Sequence, residues 1–433
     1  MIPPPIKLSV RRKASKRRFG VSKTMSQPKR TGKLTSSNIL DEIPLSPTLR
    51  SRINTHNASS IPSTQELCNA NVSSRHRYVL YLPTVTLRQK HNPAFALACH
   101  LANHLHLPCL ILYSILDDES LPLLKQSSNS TSNSSTSYSP ICMTSRRLAF
   151  YTQAISETGR HWSDHGAAVA IRVHGPSCRN PDYLTLTRGA AVVVTDEPFV
   201  YPFVSLVKRV EVACRRSHTV CVRVDGSTTV PPVSILQRKI VRSGGVGGAS
   251  SGVEYKGVPT KAWAWQKKTE AFRMDQIRNV VEQGAFDAPE LTIRIEEDNF
   301  FIKTAQCVND AKVHSEERTS DSTNDNNDDE KEVLSLRPSV PLHYTDFPPL
   351  WQDRDTPAPG KRPWTITELN NLASSGPSAI YEWSLSWPGA DPTVLPCTQT
   401  VGTSSAGIMR WNSWVQDRKG LQYYARKRYA HCP

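Results

Sequence analysis

Between Arg77 and Val224 the sequence alternates five short apolar runs, rich in Val and Ile, with segments of helical periodicity. The runs are Arg77–Leu82, Cys109–Leu116, Ala167–Val173, Ala190–Thr195 and Thr219–Val224. They show little alternation of polar with apolar residues, which suits strands covered on both faces, as in a parallel sheet. Between them, Ala94, Ala98, Leu101 and Leu105 recur at helical spacing behind Asn92-Pro93, where a proline suits the first turn. Leu148, Tyr151, Ile155 and Trp162 form a second stripe, and Phe203, Leu206, Val210 and Ala213 a third. Strands that alternate with helices in this way predict an α/β fold, a Rossmann-like doubly wound parallel sheet of about five strands.

The rest of the chain reads differently. Residues 1–74 are rich in Pro, Ser, Lys and Arg without sustained periodicity and are expected to be a disordered basic leader. The α/β domain is placed at 75–240, with a Ser/Thr/Asn-rich insertion at Gln126–Pro140. A linker is expected over 241–340, with a short helical segment around 260–290 and an acidic stretch at 309–335. The remainder, 341–433, carries several tryptophans, ends in a basic segment and reads as the start of an all-α region.

Charge narrows the partners only a little. Of the net +15, residues 1–53 contribute +11, from 13 Lys and Arg against Asp41 and Glu42, so the body of the protein is only mildly basic. Arg11-Arg12-Lys13 and Lys16-Arg17-Arg18 fit a nuclear address, while the acid-poor leader also suits a plastid or mitochondrial transit peptide or a plain solvated tail. The ten cysteines form no CxxC pair and no apolar stretch resembles a signal peptide or membrane span, so an intracellular, reduced monomer without membrane contact is expected.

Other constellations carry less. His100 and His104 have the i,i+4 spacing of a zinc pair, with His106 close by, but no glutamate stands in the protease arrangement, and solvent-face histidines are expected. Trp263 and Trp265 are read as packing residues rather than as an electron relay or base-stacking pair. Gly244–Gly248 follows no clear strand and opens no helix, so it reads as linker rather than a phosphate loop. No Ser-His-Asp or Cys-His arrangement sits on recognisable turns.

Four segments in order then resemble one family. Leu87-Arg88 followed by Asn92-Pro93-Ala94 after the first strand resembles the start of the photolyase/cryptochrome α/β domain, with Thr86 and His91 standing where that family usually has Asp. Arg147–Trp162 followed by Ile171-Arg172-Val173-His174-Gly175 is similar to its long helix and next strand. Ala191–Pro198 looks like the following strand with its acidic turn, and Val224-Asp225 with Val230-Pro231-Pro232 like the stretch where that domain ends. Further on, Gly402–Arg428 looks like the first flavin-contacting helix of the family's helical domain.

The resemblance implies a DNA photolyase or cryptochrome flavoprotein: light-driven repair of pyrimidine dimers in damaged DNA through FAD, or blue-light signalling. It implies that Tyr424 contacts a flavin phosphate or ribityl group with Arg428 nearby. It also implies a place for a light-harvesting antenna chromophore, of unstated identity, near the sheet's carboxyl edge. The phosphate clasp, tryptophan chain and DNA groove would follow Pro433, so no catalytic residue is assigned and only weak FAD binding, without dimer repair, is expected of the chain as written. Beside this stand two readings of the same architecture: a non-catalytic module for a nucleotide-like ligand or partner protein, and a general adenine-nucleotide domain.

Overall fold

The five apolar runs become the five parallel strands at the centre of the protein. A computed structural model describes residues 38–54, 77–117, 119–120, 143–228, 230–231, 237–242, 251–256, 262–295 and 363–416. These residues belong to one unit, Ser37–Pro433. The strands are β1 (Ile53–Asn54), β2 (Tyr78–Leu82), β3 (Cys109–Ile115), β4 (Ala168–Val173), β5 (Ala190–Asp196), β6 (Val220–Val224), β7 (Gln237–Arg242), β8 (Ser251–Lys256) and β9 (Trp364–Thr365). Seven of them form one sheet in the order β1-β6-β5-β2-β3-β4-β9, while β7 and β8 pair as a separate antiparallel hairpin. From β2 the chain steps outward to β3 and β4, returns to lay β5 on the other side of β2, and continues to β6. The strand order therefore reverses between β2 and β5, the place where open α/β sheets leave a crevice at their carboxyl edge.

Strand periodicity divides the interior into two cores. Val79, Tyr81, Ile111, Val169 and Val192 face one layer, and Leu80, Leu110, Leu112, Ala170 and Val193 face the other. The first layer is closed by helices α3 (Pro93–Leu105) and α4 (Ser145–Asp164), the second by the short α5 (Asp182–Thr185) and by α6 (Phe203–Arg216). Helix α3 begins where it should: Pro93 opens the first turn and the Asn92 side chain accepts from the N–H groups of Ala94 and Phe95. It ends at His106, whose left-handed backbone (φ 51°) closes the last turn onto Ala102 and Asn103. In α4 the expected stripe holds: Leu148, Ile155 and Trp162 are buried, and Trp162 lies 5.7 Å from both the Tyr81 and Phe95 rings.

Both edges of the sheet depart from the sequence expectation of about five strands. Residues 38–54, placed inside the disordered leader, form α1 (Ile39–Glu42), α2 (Pro47–Arg50) and β1, which pairs antiparallel with β6. Their periodicity is too short to register in a sequence window, but Ile39, Leu40, Ile43, Leu49 and Ile53 all enter the first core. Arg52 anchors the segment: its buried guanidinium donates to the carbonyls of Asp225 and Thr228 and to Gln276, and stacks 5.2 Å from the Phe286 ring. At the other edge β9 adds to β4, and α8 (Ile366–Ser374) and α9 (Pro377–Ser386) pack along α4. The region expected to be all-α thus contributes a strand to the sheet. Between the edges, α7 (Ala262–Ile277) occupies the expected helical segment, with Trp265 half-buried. The Gln126–Pro140 insertion, the Gly244–Gly248 run, the 309–335 stretch and the Trp263 side chain lie outside the described residues. No helix among the described residues is long and apolar enough to cross a membrane.

Arg52→Ala should cost about 2–4 kcal/mol in urea unfolding, because it strands the buried Asp225 carbonyl, the half-buried Thr228 carbonyl and the Gln276 acceptor together. A loss below about 0.5 kcal/mol would show that the 38–54 segment adds nothing to the fold.

Candidate functional site at the carboxyl edge of the sheet

The connection from β2 to α3 runs Pro83-Thr84-Val85-Thr86-Leu87-Arg88-Gln89-Lys90-His91-Asn92 and contains no glycine. It crosses the mouth of the β2/β5 crevice, and one side chain holds it there. Asp196, at the end of β5 and 1% exposed, accepts through Oδ2 from the backbone N–H groups of Thr84 (2.8 Å), Val85 (2.8 Å) and Thr86 (2.9 Å). Its Oδ1 lies 3.4 Å from the Tyr81 hydroxyl, which also accepts from Asn92 Nδ2 at 3.2 Å. Burial raises the Asp196 pKa, and the amide donors hold that rise back. Burial likewise drives the Tyr81 hydroxyl well above its ordinary value, aided by the neighbouring carboxylate, so it stays protonated.

The far side of the loop is fixed as tightly. Arg88 donates to the Gly226 carbonyl, and a Cβ on Gly226 would stand 2.6 Å from Thr86 Oγ1, so only glycine admits the threonine there. Thr86 and His91, the two departures from the photolyase/cryptochrome pattern, take defined places. The Thr86 N–H binds Asp196, and His91 adopts a left-handed backbone (φ 55°) with Nδ1 4.0 Å from Asp287.

Beside this loop, over the ends of β2 and β3, lies a cavity of about 170 Å³. Pro83, Thr84, Leu87 and Tyr113 line it together with Met143, Arg147 and Tyr151 from the start of α4, while Phe203 and Leu206 reach it from the opposite layer. Arg147 stacks 5.5 Å from the Tyr151 ring and donates to its hydroxyl. Two hydroxyls in the wall, Thr84 Oγ1 and Ser114 Oγ, are shielded from solvent and find no hydrogen-bond partner among the described residues. A half-open, largely apolar space of this size, with Arg147 and two tyrosines in its wall, suits a small ring bearing polar edge atoms. It does not suit a flavin dinucleotide, since small-molecule sites of that class run to roughly 300–1,000 Å³. The expected flavin contacts, Tyr424 and Arg428, lie outside the described residues. No step of flavin chemistry is assigned to the described residues.

A second polar group sits at the ends of β3 and β4. Ser120 Oγ donates to Asp117 and lies 2.8 Å from His174 Nδ1, while Arg179 donates to Asp117 at 2.7 Å. The residue types suggest a nucleophilic triad, but the connections are in the wrong order: the serine proton is committed to the aspartate, so His174 donates through Nδ1 and cannot act on Ser120 as a base. His174 Nε2 is left buried without a partner. Burial, with Arg172 and Arg179 near, pushes its pKa down to about 4 against the pull of Asp117. At Asp117 burial is outweighed by the Ser120 and Arg179 hydrogen bonds, which hold the carboxyl below its usual range.

The histidines of α3 take separate places. His100 is half-buried, His104 lies 3.7 Å from Glu42, His106 caps the helix, and no metal-competent cluster occurs among the described residues. Sequence reasoning marked the acidic turn around Asp196 but missed its partners, which lie more than a hundred residues away. Neither Ser114 nor Thr84 carries a sequence signal, since a lone hydroxyl in an apolar run reads as ordinary strand or loop.

No protein-family model matches the chain, and no curated protein matches it in sequence. Among solved structures, an archaeal photolyase from Sulfolobus tokodaii, described with two FAD molecules and a novel light-harvesting cofactor, is similar at 8% identity with a TM-score of 0.25. The match covers 36% of this chain and 30% of that photolyase. A superposition this loose does not define a family.

The depressed His174 pKa gives a signed expectation. The folded value lies below the ordinary 6.5, so between pH 6.5 and about 4 the unfolded chain binds a proton that the fold refuses. Stability should therefore fall by roughly 3 kcal/mol as pH drops through that window. His174→Gln should flatten the slope in pH-dependent urea unfolding; an unchanged slope would place it on other groups.

Proposed function

We propose that this chain is photolyase/cryptochrome-like and that its α/β unit binds a small heteroaromatic chromophore, of one or two fused rings, in the carboxyl-edge cavity. The observation that carries the reading is the largely apolar cavity of about 170 Å³ at the ends of β2 and β3, walled by Tyr113, Tyr151 and Arg147, with Thr84 and Ser114 among the residues that line it. The order of the resembling segments on the sheet supports the lineage. Leu87–Ala94 is the β2–α3 connection, Arg147–Trp162 lies within α4, Ala191–Pro198 follows β5 through its acidic turn, and Val224-Asp225 closes β6. In this reading FAD is the second cofactor, met by Tyr424 and Arg428, and damaged DNA is the partner, in the nucleus or an organelle.

The cavity chemistry assigns roles to its walls. Tyr113 and Tyr151 supply faces for stacking, and Leu87 and Met143 exclude water. Thr84 and Ser114 hold the polar edge of the ring, and each hydroxyl can donate or accept. A second reading, a non-catalytic module of the same architecture, draws on the same cavity without flavin chemistry.

Lumazine, a fluorescent two-ring heterocycle, is the probe. Its emission should be quenched saturably by the protein, and Ser114→Val should weaken binding roughly fivefold through loss of one hydrogen bond of about 1 kcal/mol. Quenching that never saturates, or is indifferent to Ser114→Val, would sink the assignment of the cavity.

A further inference from the structure

The reversal of strand order between β2 and β5 is where doubly wound domains seat a nucleotide phosphate, using the first loop's amides and the amino end of the following helix. In this protein both devices exist and both are already filled. Three successive loop amides, of Thr84, Val85 and Thr86, converge within 2.8–2.9 Å on one oxygen, as a phosphate oxygen would require, but the oxygen is Asp196 Oδ2. At the amino end of α3, the N–H groups of Ala94 and Phe95 are taken by Asn92 Oδ1, each at 3.1 Å. The two internal acceptors are joined through the buried Tyr81 hydroxyl, 3.2 Å from Asn92 and 3.4 Å from Asp196. Asp196, Asn92 and Tyr81 are all at most 2% exposed, so the plug is built in, not a surface accident.

We propose that the Asp196 carboxylate is a resident anion that occupies the phosphate position of this fold, and so restricts the adjoining cavity to an uncharged ring. The inference rests on the reading of that cavity as a ring site. Thr84 and Val85 contribute to both: they line the cavity while their N–H groups point to Asp196 and are closed to a ligand. A phosphate approaching this loop meets a buried negative charge instead of free donors, and the missing glycines leave it no backbone to approach closely. Arg147, the cation in the cavity wall, lies on the α4 side and is engaged with Tyr151. Its pull on an anion is therefore exerted away from the loop amides. The adenine-nucleotide alternative is the one this plug rules against.

The test separates the plug from the ring site. Inorganic phosphate is titrated at constant ionic strength against wild type, Asp196→Gly and Asp196→Asn, with thermal midpoint as readout, and the binding of lumazine and of ribityllumazine 5′-phosphate is measured on the same three proteins. Asp196→Gly, with its amides released, should show a saturable phosphate-dependent rise in midpoint, with at least roughly tenfold tighter phosphate binding than wild type. Asp196→Asn, which keeps a carbonyl acceptor in place, should fold without anion and show a smaller phosphate effect. Ribityllumazine 5′-phosphate should gain on lumazine by a similar factor in Asp196→Gly. Where Asp196→Gly folds only with phosphate present, that rescue supports the proposal equally. Phosphate shifts that are the same in all three proteins, or absent from a well-folded Asp196→Gly, overturn it. Lumazine failing to bind any of them overturns the ring site and, with it, the ligand-charge part of the inference, while the phosphate result still decides whether Asp196 is a resident anion.

Discussion

The carboxylate of Asp196, buried at the end of β5 with three backbone amides on one oxygen, is the contact on which the arrangement of this protein's carboxyl edge depends. Buried amides without acceptors cost on the order of 1–3 kcal/mol each, so the ten-residue β2–α3 connection could not lie across the crevice unless something satisfied its N–H groups. A sheet edge offers no spare carbonyls at that point, because β2 and β5 already pair with each other through Leu82 and Thr195. The side chain at the end of the neighbouring strand takes the role. Once the loop is pinned, Thr86 meets Gly226, Arg88 reaches the Gly226 carbonyl, and Thr84 and Leu87 become walls of the cavity over β3. The loop's position, the cavity's shape and the closure of the crevice thus follow from one ionised or hydrogen-bonded group.

Lateral edges of the sheet are managed by the same economy of means. A parallel five-stranded sheet leaves β6 and β4 with open ladders, and unpaired edges invite association with other chains. Here each is covered by a two-residue antiparallel strand brought from far along the chain, β1 at β6 and β9 at β4. Strands that short hold little on their own, so each is fixed by what flanks it. Arg52 and the apolar residues of α1 and α2 hold β1. The capping box of Thr365 and Glu368, with Ile366 and Leu369 buried against α4, holds β9.

How much of this was legible depended on whether the information was local. The five parallel strands and the stripes of α3, α4 and α6 were readable because burial imposes a period on the residues of a single element, as at Leu148, Ile155 and Trp162. Asn92-Pro93 marked the start of α3 for the same reason: a cap is a short-range hydrogen bond. The segment 38–54 was hidden because four-residue helices and a two-residue strand are too short to show a period, and their support comes from Asp225, Gln276 and Phe286. Asp196 was visible as an acid in a turn, yet its role depended on a register between β5 and the loop after β2 that no local pattern encodes. The cavity hydroxyls were illegible altogether, because their significance is that nothing answers them.

That last point bears on the proposed ring site more than any motif does. Buried polar groups in a folded protein are overwhelmingly paired, so an orphan marks either strain or a missing partner. Along the carboxyl edge three neighbouring groups treat the requirement differently. Around Asp196 and Asn92 the amides of Thr84, Val85, Thr86, Ala94 and Phe95 are answered from within, while the buried Thr86 hydroxyl has no partner among the described residues. Around Asp117 and Ser120 the chain is answered up to His174, whose bare Nε2 is kept tolerable by burial that holds the ring neutral. Between them, the Thr84 and Ser114 hydroxyls are buried beside the cavity without a partner among the described residues. A loop whose amides are satisfied by a dedicated buried carboxylate leaves no backbone donor for a ligand there, so the proposed ring would be held by the side chains of the neighbouring cavity wall.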